Sequence, residues 1–320
     1  FVGPMAYWRS PQMIMAKLPM APAASSSLRT ALSYYVRQVR AYDYHHYLCL
    51  LHLAPAVCKA AFTFRAFNIE TARAMDVVFD PRAGLMCLLW WKEGVDKIFG
   101  NKLVEHPVAQ ALSSVIADHK VSKHWLKRSV EARINDANRE EGTIPRTSVK
   151  LERYVEDTQS TILYMTLQAG RIQSTVADHA ASHIGKASGL LLLLKALPHH
   201  VNKQGTVHYI PASVAEECGL LITREGGRSE VRAGERLLDV VFKVASVAEA
   251  HLHKARELAP SVPKEAIPVL LPALPAQVLL DTLRRCEFNV FDPWLSRGVH
   301  GVSPLWYQLK LNWNAWRSRY

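Results

Sequence analysis

The residues most suited to binding or catalysis are two histidines four positions apart. His179 and His183 lie in a segment with helical periodicity, so their side chains share one face, and Asp178 precedes them. Two imidazoles at this spacing can hold zinc. Because no third ligand is fixed by spacing, we favour histidines that hydrogen-bond neighbouring helices and line a partner contact or a polar pocket. We expect no metal ion and no cofactor.

Other common catalytic signatures are missing from the sequence. The chain has no Gly-x-Ser-x-Gly nucleophile elbow, and Gly219, Gly226 and Gly227 do not form a phosphate-binding fingerprint. The five cysteines are scattered without a Cys-x-x-Cys pair, which argues against a zinc ribbon and against a disulfide framework. Their distribution is typical of thiols in a reducing compartment.

Helical periodicity extends over nearly the whole chain. Between Leu237 and Leu258 apolar residues recur every three or four positions, and Pro260 ends this run. Similar runs span 30–53, 56–78, 82–99, 106–118, 120–138, 148–170, 176–197 and 276–287. No segment shows sustained strand alternation, and Pro198 is expected to break a helix. The sequence predicts an all-α protein with one helical domain from 30 to 290.

The N-terminal region differs from this domain in composition. Residues 1–42 contain no Asp or Glu but several Arg, Lys and Ser residues, which is typical of a mitochondrial or plastid targeting region. We assign residues 1–29 to such a region, with a basic disordered tail as the alternative. The net charge of +11 suggests an anionic neighbour. Since no nucleic-acid recognition motif accompanies that charge, we expect no nucleic-acid partner.

Residues 291–320 form an aromatic and basic C-terminal extension. Tryptophans alternate with basic residues, as in a helix at a membrane interface, where indole rings lie near the headgroups and Lys or Arg meets anionic lipid. Packing on the protein's own domain and contact with a protein partner are the alternatives. The candidate membrane-contact residues are Trp306, Lys310, Trp313, Trp316, Arg317 and Arg319. No stretch approaches the roughly 20 apolar residues of a transmembrane helix.

A series of motifs occurs in the order and spacing of the squalene/phytoene synthase family. They are Tyr42 to Leu48, Phe64 to Ala72, His106-Pro107-Val108, Tyr154 to Thr158, Tyr164 to Gly170, Gly185 to Pro198 and Tyr209-Ile210-Pro211. The chain resembles this family over most of its length. The resemblance implies a helical isoprenoid-synthase bundle around a central cavity.

In the enzymes of that family, two facing helices carry acidic residues that hold Mg²⁺ against a diphosphate leaving group. The first of these motifs is degenerate here. Arg65 is present, but Asn68 and Ala72 stand at the acidic positions, and Glu70 lies on another face of the helix.

The second acidic motif is degenerate as well. Ala196 and His200 stand at its acidic positions, Lys195 replaces an arginine, and Gly189 and Leu192 replace polar residues. Alanine offers no metal ligand, and histidine prefers softer metals than Mg²⁺. We therefore expect a protein that performs no ionisation chemistry and is not an enzyme.

Three segments match a mitochondrial branch of the family better than the enzymes: Arg65 to Glu70, Tyr154 to Ser160 and Asp178 to Ala187. This resemblance implies a non-enzymatic protein, peripheral on the matrix side of the inner membrane. It would help to assemble complex I (NADH:ubiquinone oxidoreductase) and contact complex I subunits or assembly intermediates. One alternative is an isoprenoid- or lipid-binding protein or residual prenyltransferase, since Leu190 to Leu194 could line an apolar cavity. Another is a stable accessory subunit of a respiratory membrane complex.

Overall fold

A computed structural model gives the fold of the protein. It describes residues 27–77, 80–139, 147–204, 209–220, 222–225, 228–231 and 235–320. The described chain is almost entirely helical, which confirms the predicted fold class. Most of the predicted targeting region, 1–29, lies outside the described residues, so its assignment stays a prediction.

The first half of the described chain is a succession of helices. They are α1 (Ser27–Tyr42), α2 (Tyr44–Leu50), α3 (Pro55–Ala72), α4 (Pro81–Phe99), α5 (Pro107–Asp118) and α6 (Lys123–Ala137). Next come α7 (Ser148–Val155), a π-helical segment (Glu156–Ser160) and α8 (Thr161–Ala169).

The second half contains the longest helices and two short strands. They are α9 (Thr175–Gln204), α10 (Ala212–Glu217), β1 (Ile222–Glu225), β2 (Arg228–Val231), α11 (Glu235–Leu258), α12 (Ile267–Leu270), α13 (Ala273–Arg285) and α14 (Pro304–Trp316). Short 3₁₀ turns lie at Ala259–Ser261, Lys264–Ala266 and Pro293–Ser296.

Prolines define where several helices begin. Pro55, Pro81, Pro107 and Pro304 each lie in the first turn of a helix, where the missing N–H has no intrahelical partner to lose. The cap before Pro107 is His106, whose ring nitrogen Nδ1 accepts a hydrogen bond from a backbone N–H at 3.2 Å. The breaks predicted between helical runs near Pro55, Pro81 and Pro107 are therefore helix starts.

One predicted break, at Pro198, was wrong, and a short hairpin was not anticipated. In that hairpin, β1 and β2 pair antiparallel with Ile222 opposite Val231. Each strand has only four residues, too few to show a sustained alternation. Helix α9 also continues through Pro198 to Gln204. The neighbouring Leu194 and Leu197 are buried in the core, which holds the helix together despite the backbone hydrogen bond that a proline removes.

Helix α9 lies at the centre of the bundle. It packs most extensively on α11 and also contacts α7, the π segment, α8 and α13. Leu190 and Leu191 on α9 are almost completely buried, as are Phe64 and Phe67 on α3. The central helices thus bury side chains on several faces, which explains their weak amphipathic pattern in the sequence.

A second apolar cluster joins the C-terminal helix to the start of the domain. Leu48 and Cys49 of α2 pack there with Leu271, Tyr307 and Leu311, so that α14 covers one end of the bundle. The proline-rich stretch from 260 to 275 is ordered and largely buried toward its end, which confirms that it packs on the core.

Among the described residues, no single helix is long and apolar enough to cross a membrane. One bent pair of segments, Lys264–Leu270 and Ala273–Arg285, would meet the length and composition requirements at a bend of 44°.

Candidate functional site

The first acidic position of the family motif is occupied by a neutral side chain in contact with a cation. Asn68 is buried on α3, and its Oδ1 accepts a hydrogen bond from Nη2 of Arg133 at 2.6 Å. The guanidinium of Arg133 also donates to Oγ of Ser129 at 2.7 Å and to its carbonyl oxygen at 3.0 Å. One turn after Asn68, Ala72 is exposed. A guanidinium thus faces Asn68, the position where the family resemblance places a metal-binding carboxylate.

Glu70 points away from Asn68, toward α1. Its Oε1 accepts a hydrogen bond from the hydroxyl of Tyr34 at 3.2 Å. Burial raises the pKa of Glu70, and burial together with the nearby Glu70 raises the pKa of Tyr34 to about 12. Glu70 therefore joins α1 to α3 and does not replace the carboxylates that are missing from the motif.

The second motif is also occupied by side chains that do not suit Mg²⁺. Nζ of Lys195 lies 3.0 Å from Nδ1 of His300, and burial lowers the pKa of that lysine. Ala196 is half-buried, and the ring of His200 packs on the ring of Tyr209 with centroids 5.2 Å apart. A lysine and an imidazole replace hard oxygen ligands here, so these residues do not fit the magnesium that the fold family implies.

Glycines on α9 let the neighbouring segment approach closely. A Cβ atom on Gly189 would lie 2.5 Å from Cβ of Val155, and one on Gly185 would lie 2.5 Å from Cα of Ser160. Leu192 is partly buried against the main core. The position where the resemblance places a glutamine is thus filled by the end of α7.

Residues of two sequence motifs also form a buried polar cluster whose contacts the sequence did not predict. Asp43 is the single residue between α1 and α2. Its Oδ1 lies 2.6 Å from Nδ1 of His46 and 3.2 Å from Nε2 of His45. Its Oδ2 lies 3.5 Å from Nη1 of Arg65. Burial alone would raise the pKa of Asp43, but the two imidazoles and the guanidinium hold it well below its usual range. Burial lowers the pKa of both histidines.

The C-terminal region covers this cluster. The ring of His300 packs on that of His45 with centroids 4.3 Å apart, and the hydroxyl of Tyr307 donates to the carbonyl oxygen of His45 at 3.0 Å. The same Tyr307 hydroxyl lies 3.6 Å from Sγ of Cys49. Residues from both ends of the domain thus close over the interior.

The charges of this cluster oppose binding of a divalent cation. Ligand atoms of Asp43, His45 and His46 all lie within 4.8 Å of one another. However, the single carboxylate is already neutralised by Arg65, and Lys195 adds a second partly buried cation next to His300. The adjoining cavity against Arg65 measures only about 10 Å³. That volume is at the lower limit for one water molecule, so this part of the interior cannot hold a prenyl chain.

Comparisons with known proteins fit this arrangement of helices and motifs. Residues 39–301 match the family model for squalene/phytoene synthase. The chain belongs to the squalene/phytoene synthase family. It is 33% identical to rat NADH dehydrogenase (ubiquinone) complex I, assembly factor 6, over 98% of this chain and 90% of that protein. The human protein of that name is 32% identical, over 90% of this chain and 82% of that protein.

A solved structure of a dehydrosqualene synthase in complex with ligand shows the same fold. It superposes with a TM-score of 0.73 and covers 91% of this chain and 97% of its own, at 15% identity. The fold is therefore shared with an enzyme, whereas the rat and human relatives similar in sequence carry the name of an assembly factor.

The predicted histidine face lies within the part of the chain that matches the family. Nδ1 of His183 lies 2.8 Å from Nδ1 of His251 on α11, and Nε2 of His251 lies 3.1 Å from Oε2 of Glu152 on α7. Asp178 and His179 are exposed one turn before His183. Sequence reasoning missed His251 and Glu152 because each is distant along the chain from the histidine pair it completes.

Helix α14 lies beyond the part of the chain that matches the family model. Its buried Tyr307 and Leu311 pack on the domain, while the opposite side exposes a row of aromatic and leucine side chains. That exposed face consists of Leu305, Trp306, Leu309, Trp313 and Trp316. Basic groups accompany it: Lys310 lies over the Trp306 ring and Arg317 over the Trp313 ring. The helix therefore docks on its own domain and presents an apolar, basic face at the same time. Arg319 is exposed just after it.

Proposed function

We propose that this protein is a non-catalytic member of the squalene/phytoene synthase family that helps to assemble mitochondrial complex I. The similarity to rat assembly factor 6 carries the proposal, because 33% identity extends over 98% of the chain and is not confined to a shared motif. The proposed partners are complex I subunits or their assembly intermediates, and the proposed location is the matrix side of the inner membrane.

The chemistry of the two motifs supports the absence of catalysis. Ionising an allylic diphosphate requires that the developing negative charge be stabilised by cations held in place by carboxylates. Asn68, Ala72, Ala196 and His200 supply none of those four carboxylates. The close packing of Val155 on Gly189 further reduces the space available to a substrate.

Enzymatic activity can be tested directly. The purified protein is incubated with farnesyl or geranylgeranyl diphosphate and Mg²⁺, with a dehydrosqualene synthase as the positive control. We expect no condensation product and no released diphosphate above the level of a Glu70→Ala variant, which lacks the nearest remaining acid of the first motif. Product formed by the wild-type protein and lost in that variant would contradict the proposal.

The assembly role predicts a defect in complex I and in no other respiratory complex. Cells that lack the protein should contain less assembled complex I on native gels, and re-expression should restore it. A stable accessory subunit would co-migrate with mature complex I in equal amounts, whereas an assembly factor should associate only with incomplete intermediates. Normal complex I levels in cells without the protein would refute the assembly role.

Peripheral membrane attachment is proposed through the exposed face of α14. Trp316 is 77% exposed and Trp313 is 56% exposed. Exposing so much apolar surface to water costs free energy, and contact with lipid would remove that cost. The nearby basic groups suit anionic lipid. The face is continuous with a groove of about 350 Å³ whose lining includes Trp316, Lys264 and His52.

Flotation with liposomes tests this attachment. The protein should bind vesicles that contain anionic phospholipid, and binding should weaken as salt increases. Replacing Trp306, Trp313 and Trp316 by alanine should weaken binding by more than about tenfold, since loss of about 1.4 kcal/mol already has that effect. Trp294 is 45% exposed outside α14 and carries its own stacked arginine, so Trp294→Ala is the matched control. Equal binding by both variants would exclude α14 as the membrane contact.

A further inference from the structure

A third histidine meets the pair of His179 and His183 between α9 and α11, where spacing in the sequence fixed no third ligand. His183 and His251 direct their Nδ1 atoms at each other across 2.8 Å, with ring centroids 5.1 Å apart. The other ring nitrogen of His251 faces the carboxylate of Glu152 at 3.1 Å. We propose that His183 and His251, completed by His179, bind a divalent transition metal such as zinc.

The hydrogen-bond pattern makes a lone pair available at the right atom. The carboxylate of Glu152 accepts, so Nε2 of His251 is the donor to it. Nδ1 of the neutral His251 ring then has a lone pair, which accepts the hydrogen bond from Nδ1–H of His183. A carboxylate on the far nitrogen is the usual partner of a metal-bound histidine, since it fixes the tautomer and raises the basicity of the ligand. Binding then requires only that the proton of His183 move to its own Nε2.

The two ring nitrogens are already near the separation that one shared metal ion requires. Burial lowers the pKa of both His183 and His251. Two ligands of one tetrahedral zinc ion with Zn–N distances near 2.05 Å lie about 3.3 Å apart. The two nitrogens must thus separate by only about 0.5 Å, and His183 is only half-buried.

The third ligand of the proposed site is one turn earlier on the same helix. His179 is exposed and four residues before His183, the spacing at which two side chains share one helix face. Two cations lie near the pair: Lys186 is paired with Glu156 at 3.3 Å, and Lys254 is exposed to water on α11. Three imidazoles and a water molecule form a common tetrahedral set for zinc.

This position suits a cation better than the buried cluster around Asp43. There the only contacting carboxylate is shared with Arg65, and the site is closed by His300 and Tyr307. At the imidazole pair, Glu152 is 24% exposed at its side chain and has no arginine bonded to it among the described contacts. A hydrated ion can therefore reach the pair from the surface.

The experiment measures zinc binding by the intact chain. Isothermal titration with ZnCl₂ at pH 7.5 should give one site, and metal analysis after dialysis should recover about one zinc per chain. His183→Ala and His251→Ala should each weaken binding by more than about 100-fold, and Glu152→Gln by about 10–100-fold as an orienting residue. His253→Ala is the matched control, since His253 is exposed on the same helix two residues from His251.

A spectroscopic measurement separates ligation from a structural effect. Cu²⁺ loaded at the site should show hyperfine coupling to imidazole nitrogens in its paramagnetic resonance spectrum, and that coupling should be lost in His183→Ala. Circular dichroism shows whether each variant is folded. If a histidine variant does not fold, the zinc affinity of Glu152→Gln is the test of the proposal. No zinc binding at micromolar concentrations, or binding unchanged in Glu152→Gln and in folded His183→Ala, would overturn the proposal.

Discussion

Adding a side chain at Gly189 tests how closely α7 and α9 approach each other in the interior. A Cβ atom there would lie 2.5 Å from Cβ and 2.9 Å from Cγ1 of Val155. Carbon atoms in normal contact are about 3.5–4.0 Å apart, so α7 and α9 would have to separate by about 1 Å. A change of rotamer at Val155 cannot relieve this contact, because its Cβ is fixed to the backbone.

The expected free-energy change combines two opposing effects. Overpacking of a core costs about 1–3 kcal/mol, whereas alanine is favoured over glycine inside a helix by about 1 kcal/mol. Because the clash is with a backbone-anchored atom, we place the overpacking cost in the upper part of that range. Gly189→Ala should therefore lower the free energy of unfolding by about 1–2 kcal/mol, and Gly189→Gln by more.

Gly94 provides a matched control for this measurement. It lies inside α4, and a Cβ atom there would meet nothing within 4 Å, so Gly94→Ala should stabilise the protein by about 1 kcal/mol. Urea unfolding followed by circular dichroism compares the two variants at equal protein concentration. If Gly189→Ala stabilises the protein as much as Gly94→Ala does, the reasoning about close helix approach is refuted.

Two further predictions concern buried polar groups. Burial lowers the pKa of His106 to about 4, below its ordinary value near 6.5, so its neutral form stabilises the fold above pH 6.5 and that stability is lost as the pH falls toward 4. By pH 5 the loss is about 2 kcal/mol, and His106→Asn, which keeps a capping acceptor for Val108, should remove that part of the pH dependence in urea unfolding at pH 7.5 and 5. Asn68→Ala should cost about 1.5–3 kcal/mol because Arg133 loses a hydrogen-bond acceptor, and an unchanged unfolding midpoint would contradict that contact.

The elements that could be predicted from sequence are those fixed by local rules. Helix starts at Pro55, Pro81 and Pro107 follow from the geometry of proline, and the apolar period of α11 follows from its single buried face. The ends of helix α9 were harder to predict, because the helix is buried on several faces and contains Pro198. The proline in its sequence therefore did not mark its end.

The polar contacts between distant segments could not be predicted. His251 lies 68 residues from His183 and 99 from Glu152, and a single sequence carries no signal that joins them. The same holds for Asp43 and Arg65, which belong to two recognised motifs whose contact depends on how α2 packs against α3. By contrast, the absence of carboxylates at Asn68, Ala72, Ala196 and His200 is read directly from residue identity. Their assignment to the acidic positions of the family comes from the resemblance and stays a prediction.

The bond from Tyr307 to the carbonyl of His45 joins groups 262 residues apart. Closing a loop of that length costs more entropy than forming a local contact, so we expect this bond to form late in folding. The imidazoles and the carboxylate beside α2 are then open to water until the C-terminal region docks. A chain that stops before Tyr307 would leave that end of the bundle uncovered.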